Sequence, residues 1–115
     1  MALIDRHTRG VYVIAATPFA DDGALDLNSI DSLVDYYAER GCDGMTVLGV
    51  MGEAPKLTPE ESRAALARFL SRAGKMPVIA GVSAAGIDAL ASLSKFAMDK
   101  GAAGVMVAPI PSLTT

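Results

Sequence analysis

The sequence predicts an α/β protein built on a parallel β-sheet. Four apolar runs recur along its 115 residues, and each is continuous instead of alternating, which is typical of strands buried on both faces. Amphipathic helical patterns lie between these runs. Residues 39–47 are echoed by residues 99–107: each copy carries a charged helix end, a glycine, a second glycine and a strand. The separation of 60 residues is the length of two strand–helix units, so the predicted order is βαβαβαβ.

The first strand is predicted at about 11–16 and the second at about 45–48. Between them, apolar residues recur at i, i+3, i+4 and i+7, which predicts a helix that ends before Gly41. The acidic residues of this helix are expected on the opposite, solvated face. The apolar face comprises Ile30, Leu33, Val34 and Tyr37, and the solvated face Asp31, Asp35 and Glu39.

The second helix has the clearest boundaries. Thr58 is predicted to cap it, Pro59 suits the first helical position, Glu61 completes a capping box, and Gly74 ends the helix. A third strand is predicted at about 78–81. A third helix, with a weak start signal, runs from about 87 to 100, and a fourth strand is predicted at about 104–108.

Two architectures accept this order of elements. A doubly wound sheet fits the length of the chain, whereas a (β/α)8 barrel needs about 250 residues. Against the doubly wound sheet, no fifth strand follows, and the first strand ends in Thr17-Pro18-Phe19 where signal-receiver domains carry acidic residues. The elements alone leave both architectures open.

Composition excludes several classes of function. Ten Lys and Arg against 13 Asp and Glu, with no Trp, make nucleic acid an unexpected partner. One Cys and one His exclude a disulfide framework and a Cys/His zinc site within one copy of the chain. The sequence shows no export signal and no apolar run of membrane-spanning length, so no membrane partner and a cytoplasmic location are expected.

In both architectures, ligands bind at the carboxyl ends of the strands. The segment from Gly49 to Glu53 follows a strand there and places two glycines around a tight turn. Backbone N–H groups of such a turn can point at an anion such as a carboxylate. The alternative interpretation is an ordinary turn from strand to loop.

Several motifs keep their order along the chain: Ala16-Thr17-Pro18-Phe19, Gly-x-x-Gly-Glu at 49–53, Leu57-Thr58-Pro59-Glu60-Glu61, and Pro77 to Gly81. Over about residues 10–110 this pattern resembles the dihydrodipicolinate synthase and N-acetylneuraminate lyase family. The resemblance implies a (β/α)8 barrel, of which residues 1–115 supply the first three and a half βα units, as the N-terminal part of a single domain.

The resemblance also implies Schiff-base chemistry. In this family a lysine on the sixth strand condenses with the ketone of pyruvate or a related 2-oxo acid. That strand lies beyond residue 115, so no catalytic residue is predicted within the chain, and no metal or organic cofactor is expected. A homo-oligomer, dimer or tetramer, is expected. The four lysines present are expected on the solvated surface: Lys56, Lys75, Lys95 and Lys100.

The chain departs from the family pattern at the predicted site. Val50 and Met51 stand where synthases carry two threonines, and Ile110-Pro111 where they often carry two tyrosines, so a hydroxyl relay through these positions is absent. The N–H groups of Met51 and Gly52 can still hold a carboxylate. By resemblance Thr17 supports the site from behind; alternatively its hydroxyl bonds local backbone. The predicted substrate-binding residues are Thr17, Gly49, Val50, Met51, Gly52 and Glu53.

The first hypothesis for function is the N-terminal half of a lyase that acts on a 2-oxo acid. This half would contribute the carboxylate-binding turn. Two alternatives are a non-enzymatic, doubly wound binding module and an inactive half-barrel that self-associates. Nothing blunts the edges of the first and fourth strands, so the chain is expected to be a piece of a longer polypeptide.

Overall fold

The computed structural model describes residues 3–84 and 86–108, and it confirms the predicted order of strands and helices. Its strands are β1 (Tyr12–Ile14), β2 (Gly44–Val47), β3 (Val78–Gly81) and β4 (Gly104–Met106). Its helices are α1 (Leu27–Glu39), α2 (Pro59–Ala73) and α3 (Ile87–Asp99), with a short 3-10 helix at Ala54–Lys56. The apolar runs predicted at 11–16 and 104–108 extend past β1 and β4, and β2 stops before Leu48 because that residue has a left-handed backbone, φ 58°.

The order of strands across the sheet decides between the two architectures. The four strands lie side by side as β1-β2-β3-β4, all parallel. In a doubly wound sheet the order of the strands across the sheet reverses at a switch point, as in the orders 2-1-3-4-5 and 3-2-1-4-5-6. The order β1-β2-β3-β4 contains no such reversal. The doubly wound alternative, and with it the doubly wound binding module, is therefore wrong.

The helices cover one face of the sheet. Met45, Val47 and Val78 point to that face and are fully buried. On the other face, Ile14 of β1 is 55% exposed. This one-sided cover is the arrangement of a barrel wall, in which helices lie outside and the opposite face turns towards the barrel axis.

The register of the strands also indicates a (β/α)8 barrel. Thr46 of β2 pairs with Ile79 of β3, which in turn pairs with Gly104 of β4. In the 60-residue repeat, however, Gly104 is equivalent to Gly44 and not to Thr46. From β2 to β4, two strands further on, the pairing is thus offset by two residues from the repeat. The sheet therefore shifts by about one residue per strand, and eight such strands accumulate the shear of about eight that closes a (β/α)8 barrel.

Helices α1 and α2 pack on the sheet through a shared apolar core. Phe69 is the largest fully buried side chain, and it lies in one cluster with Ile30 and Val34 of α1. The predicted capping box of α2 is confirmed: the Glu61 N–H donates to Thr58 Oγ1 at 3.1 Å, and the Thr58 N–H donates to Glu61 Oε1 at 2.9 Å.

Two ion pairs join α1 to α2. Arg68 donates to both carboxylate oxygens of Asp31 at 2.8 Å, and Arg72 donates to those of Asp35 at 2.9 and 2.6 Å. The side chains of Asp31 and Asp35 are 26% and 47% exposed, and each also binds an arginine of the neighbouring helix. The hydrogen bonds from the guanidinium groups lower the pKa of Asp31 and of Asp35.

The amino-terminal segment crosses the end of the sheet where the strands begin. The Ile4 N–H donates to the carbonyl oxygen of Ala103 at 2.9 Å. Next to it, a Cβ atom on Gly104 would lie 3.3 Å from Cγ1 of Ile4. Ile4 is thus fixed beside β4, about 100 positions later in the chain.

Candidate functional site

The loop after β2, residues 48–53, lies at the carboxyl edge of the sheet. Two non-glycine residues in the left-handed region bound it: Leu48, with φ 58°, and Glu53, with φ 55°. Such residues each cost about 1–3 kcal/mol, and they cluster at ligand-binding sites. We call residues 48–53 the β2 turn.

Hydrogen bonds within the β2 turn engage the N–H groups of Gly52 and Glu53, and among the described residues those of Leu48, Gly49, Val50 and Met51 have no acceptor. The Gly52 N–H donates to the Gly49 carbonyl oxygen at 3.1 Å, and the Glu53 N–H to that of Val50 at 3.0 Å. Within residues 3–84 and 86–108, the N–H groups of Val50 and Met51 donate to no protein acceptor. Of the two donors predicted for a carboxylate, the Gly52 N–H is bonded inside the turn, whereas the Met51 N–H has no acceptor among the described residues.

Both side chains beside these donors are apolar and open to solvent. Val50 is 93% exposed and Met51 64% exposed. Neither side chain can transfer a proton or donate a hydrogen bond, so the polar chemistry of the β2 turn comes from its backbone.

Close backbone approaches hold the β2 turn in place. A Cβ atom on Gly52 would lie 3.1 Å from the Leu48 nitrogen and 3.2 Å from Thr17 Oγ1. A Cβ atom on Gly81, at the end of β3, would lie 2.8 Å from the carbonyl carbon of Leu48. Glycine at these two positions lets the ends of β1, β2 and β3 meet.

The two predicted polar residues of the site lie on different sides of the β2 turn. Thr17 is 5% exposed, and its hydroxyl has no hydrogen-bond partner among the described residues. Glu53 is bonded to Lys56 of the 3-10 helix, with 2.6 Å between Oε1 and Nζ. Thr17 therefore lies beneath the turn, while Glu53 ties the turn to the segment that follows.

Sequence reasoning missed two residues of this site. Leu48 gives no signal for a left-handed backbone, because leucine rarely adopts one. The terminal methyl carbon of Met106, in β4, would lie 3.6 Å from a Cβ atom on Gly49, so Met106 borders the turn from two strands away. Only strand order and register bring it there.

The lysines of the described region are all exposed, as expected. Lys56 pairs with Glu53, Lys95 pairs with Asp99, and the Lys100 ammonium lies 5.7 Å from the centre of the Phe96 ring. None of them lies in the β2 turn.

In the part of the chain that the structure describes, no three His, Cys, Asp or Glu side chains are grouped as metal ligands. No helix in that part is both long and apolar enough to cross a membrane.

The loop after β3 is bonded to the residues after β4. The Ser83 hydroxyl in this loop accepts a hydrogen bond from the Ala108 N–H at 2.8 Å. Ala85 and the stretch 109–115, with Ile110 and Pro111, lie outside the described residues.

Comparison with known proteins identifies the family. The sequence model of the Dihydrodipicolinate synthetase family matches residues 7–110. The chain belongs to this family. A curated relative, the 4-hydroxy-tetrahydrodipicolinate synthase of Thiobacillus denitrificans, is 38% identical over 103 residues, which are 88% of this chain and 35% of the relative.

Solved structures agree with the family and with the barrel. The dihydrodipicolinate synthase of Rhodopseudomonas palustris is 53% identical with a TM-score of 0.94, over 100% of this chain and 38% of that one. A prophage protein of the dihydrodipicolinic acid synthase family from E. coli K12, solved in complex with pyruvate, is 29% identical with a TM-score of 0.86, over 92% of this chain and 36% of that one. The chain thus spans about a third of its relatives' length, and its sheet is part of a (β/α)8 barrel.

Proposed function

We propose that this chain forms the N-terminal part of a lyase that binds a 2-oxo acid, with the β2 turn holding the carboxylate. The observation that carries the proposal is the pair of N–H groups on Val50 and Met51, which have no protein acceptor among the described residues and lie at the carboxyl edge of a parallel sheet. Membership of the dihydrodipicolinate synthetase family supports it, as does the pyruvate bound by the E. coli relative.

The proposed reaction begins with a Schiff base. The amine of a lysine attacks the ketone carbon of the 2-oxo acid, a C=N bond replaces the C=O bond, and one water leaves. The carboxylate is held beside this carbon by the β2 turn. The lysine comes from sequence beyond residue 115, since the four lysines of the chain are exposed and none lies in the turn.

The side chains of the β2 turn narrow the proposal. Val50 and Met51 carry no hydroxyl, so a proton relay through these positions cannot operate. We propose an aldolase, hydratase or dehydratase that acts on another 2-oxo acid, in place of dihydrodipicolinate synthesis. It would act as a cytoplasmic dimer or tetramer with no metal or organic cofactor.

The test begins with the natural polypeptide, purified from the organism that produces it. An intact mass near that of a full barrel of about 250 residues is expected, well above the 11.8 kDa of residues 1–115. Borohydride added with pyruvate should then attach one reduced pyruvate, and peptide mapping should place it on a lysine outside residues 1–115. A sample given borohydride without pyruvate is the control.

Absence of an adduct with pyruvate and with a panel of larger 2-oxo acids would refute the proposed chemistry. An adduct on Lys56, Lys75, Lys95 or Lys100 would instead show that the lysine has been assigned to the wrong part of the protein.

Self-association is a second candidate, which the edges of the sheet favour. In the described residues β1 pairs only with β2, and β4 pairs only with β3. Val105 and Met106 in β4 are 39% and 42% exposed. A purified protein of 11.8 kDa that elutes from a sizing column as an oligomer and forms no adduct would select this candidate.

A further inference from the structure

The Thr17 hydroxyl is the buried side-chain polar atom that lacks a hydrogen-bond partner in the described residues. Its residue is 5% exposed, so water reaches it poorly. A buried hydroxyl without a partner destabilises a fold, and a valine of the same shape would remove that cost. Thr17 therefore carries a hydroxyl that no hydrogen bond within residues 3–84 and 86–108 uses.

The position of Thr17 connects this hydroxyl to the β2 turn. The last bond of the β1–β2 ladder, from the Ala15 N–H to the Thr46 carbonyl oxygen at 2.9 Å, lies two residues before it. Gly52 packs directly on the hydroxyl, since a Cβ atom there would lie 3.2 Å from Oγ1. The hydroxyl thus faces the inner side of the turn.

The geometry of the peptide bond gives that inner side an acceptor. In a trans peptide, the N–H and the preceding C=O point in opposite directions. When the N–H groups of Val50 and Met51 point outward at a carboxylate, the carbonyl groups of Gly49 and Val50 point back into the protein. Each carbonyl oxygen has two lone pairs. The Gly49 oxygen accepts from the N–H groups of Gly52 and Ala54, whereas the Val50 oxygen accepts only from that of Glu53 and so keeps one lone pair for a further donor.

We propose that Thr17 is a positioning residue for the β2 turn. Its hydroxyl donates to a backbone carbonyl oxygen of the turn when a carboxylate occupies the outer side, and this bond fixes the direction of the Val50 and Met51 N–H groups. The proposal rests on the proposed function, because it assigns the bond to the state in which a 2-oxo acid is bound.

The test compares two substitutions in the polypeptide as its source makes it. Thr17→Val keeps the shape and removes the hydroxyl, and Thr17→Ser keeps the hydroxyl and removes a methyl group. Thr46→Val, a buried threonine of β2, is the matched control for the chemical change. Each variant is measured for its thermal midpoint of unfolding and for the pyruvate concentration that gives half-maximal borohydride trapping.

Stability and binding are expected to move in opposite directions. Thr17→Val should raise the thermal midpoint of unfolding. It should also raise the pyruvate concentration for half-maximal trapping about three- to tenfold, because one hydrogen bond is lost. Thr17→Ser should lower the midpoint and stay within about twofold of the wild type in pyruvate, because its hydroxyl remains. Thr46→Val should leave the pyruvate concentration unchanged.

A purely structural role would make binding follow stability in both variants, and that result would overturn the proposal. Equal pyruvate dependence in the wild type and Thr17→Val would also overturn it while leaving the proposed function in place. The amide resonances of Val50 and Met51, followed during a pyruvate titration, report carboxylate binding without an imine. These resonances could shift with pyruvate in the wild type and shift less in Thr17→Val while no adduct forms. That result would refute the Schiff-base function and support the role of Thr17.

Discussion

Substitution of Gly81 by alanine tests how tightly the β2 turn is held. The new Cβ atom would lie 2.8 Å from the carbonyl carbon of Leu48 and 3.2 Å from the carbonyl oxygen of Val47. Carbon atoms in favourable contact are about 3.5–4.0 Å apart, so the strand ends would have to separate by several tenths of an ångström. All the opposing atoms belong to backbone, which cannot rotate away as the end of a side chain can.

The expected cost follows from these contacts. Overpacking costs about 1–3 kcal/mol, and rigid backbone neighbours place this case at the upper end. Loss of glycine's freedom in the unfolded chain returns about 0.4–1 kcal/mol. We expect Gly81→Ala to lower the free energy of unfolding by about 2 kcal/mol, which lowers the thermal midpoint by about 4–8 °C in a barrel of about 250 residues. Displacement of Leu48 should also weaken pyruvate trapping.

Gly49→Ala is the matched control for stability. Its Cβ atom would meet only the terminal methyl of Met106, at 3.6 Å, an ordinary contact with a flexible side chain. Thermal unfolding followed by circular dichroism should place this variant within about 1 kcal/mol of the wild type. If Gly81→Ala is as stable as Gly49→Ala, the close approach of β3 to Leu48 does not hold the turn, and the reasoning fails.

Three further predictions concern the helices. Phe69→Ala should cost about 3–5 kcal/mol in chemical denaturation, because its side chain is fully buried; a cost under about 1 kcal/mol would contradict the assigned core. Thr58→Ala should cost about 1 kcal/mol through loss of the α2 cap, while Glu60→Gln, outside the capping box, should cost less. The pKa values of Asp31 and Asp35 are lower in the folded chain, so their contribution to stability is present above the unfolded value near 4 and is lost as the pH falls below it. The double variant Asp31→Asn, Asp35→Asn should therefore show a flatter decline of the unfolding midpoint between about pH 5 and 2, and an unchanged decline would refute this cause.

Local signals predicted the helices and the order of elements. The capping box at Thr58 involves residues three apart, and the apolar face of α1 follows the period of the helix, so both can be found without tertiary contacts. The choice between a barrel and a doubly wound sheet could not be made in this way. It depends on which strands become neighbours, and motif resemblance supplied that information where periodicity could not.

The sequence located the segment of the candidate site, but it identified only some of the atoms that are available to a ligand. Spacing pointed to the β2 turn because glycines after a buried strand form tight turns. It assigned the Gly52 N–H to the ligand, but the structure uses that group within the turn. The pairing of Asp31 with Arg68 was also unpredicted, since the two residues lie on different helices and 37 positions apart.

The contact between Ile4 and Ala103 has a consequence for the order of folding during synthesis. A ribosome makes the first residues of this chain about 100 positions before their partner, so the Ile4 N–H must wait for β4 before its hydrogen bond can form. The strand–helix units between them can assemble locally in the meantime, whereas this pairing carries the loop-closure entropy of a segment of about 100 residues. Within residues 3–108, the segment around Ile4 is therefore ordered only once β4 has formed, and its docking reports that the fourth strand is in place.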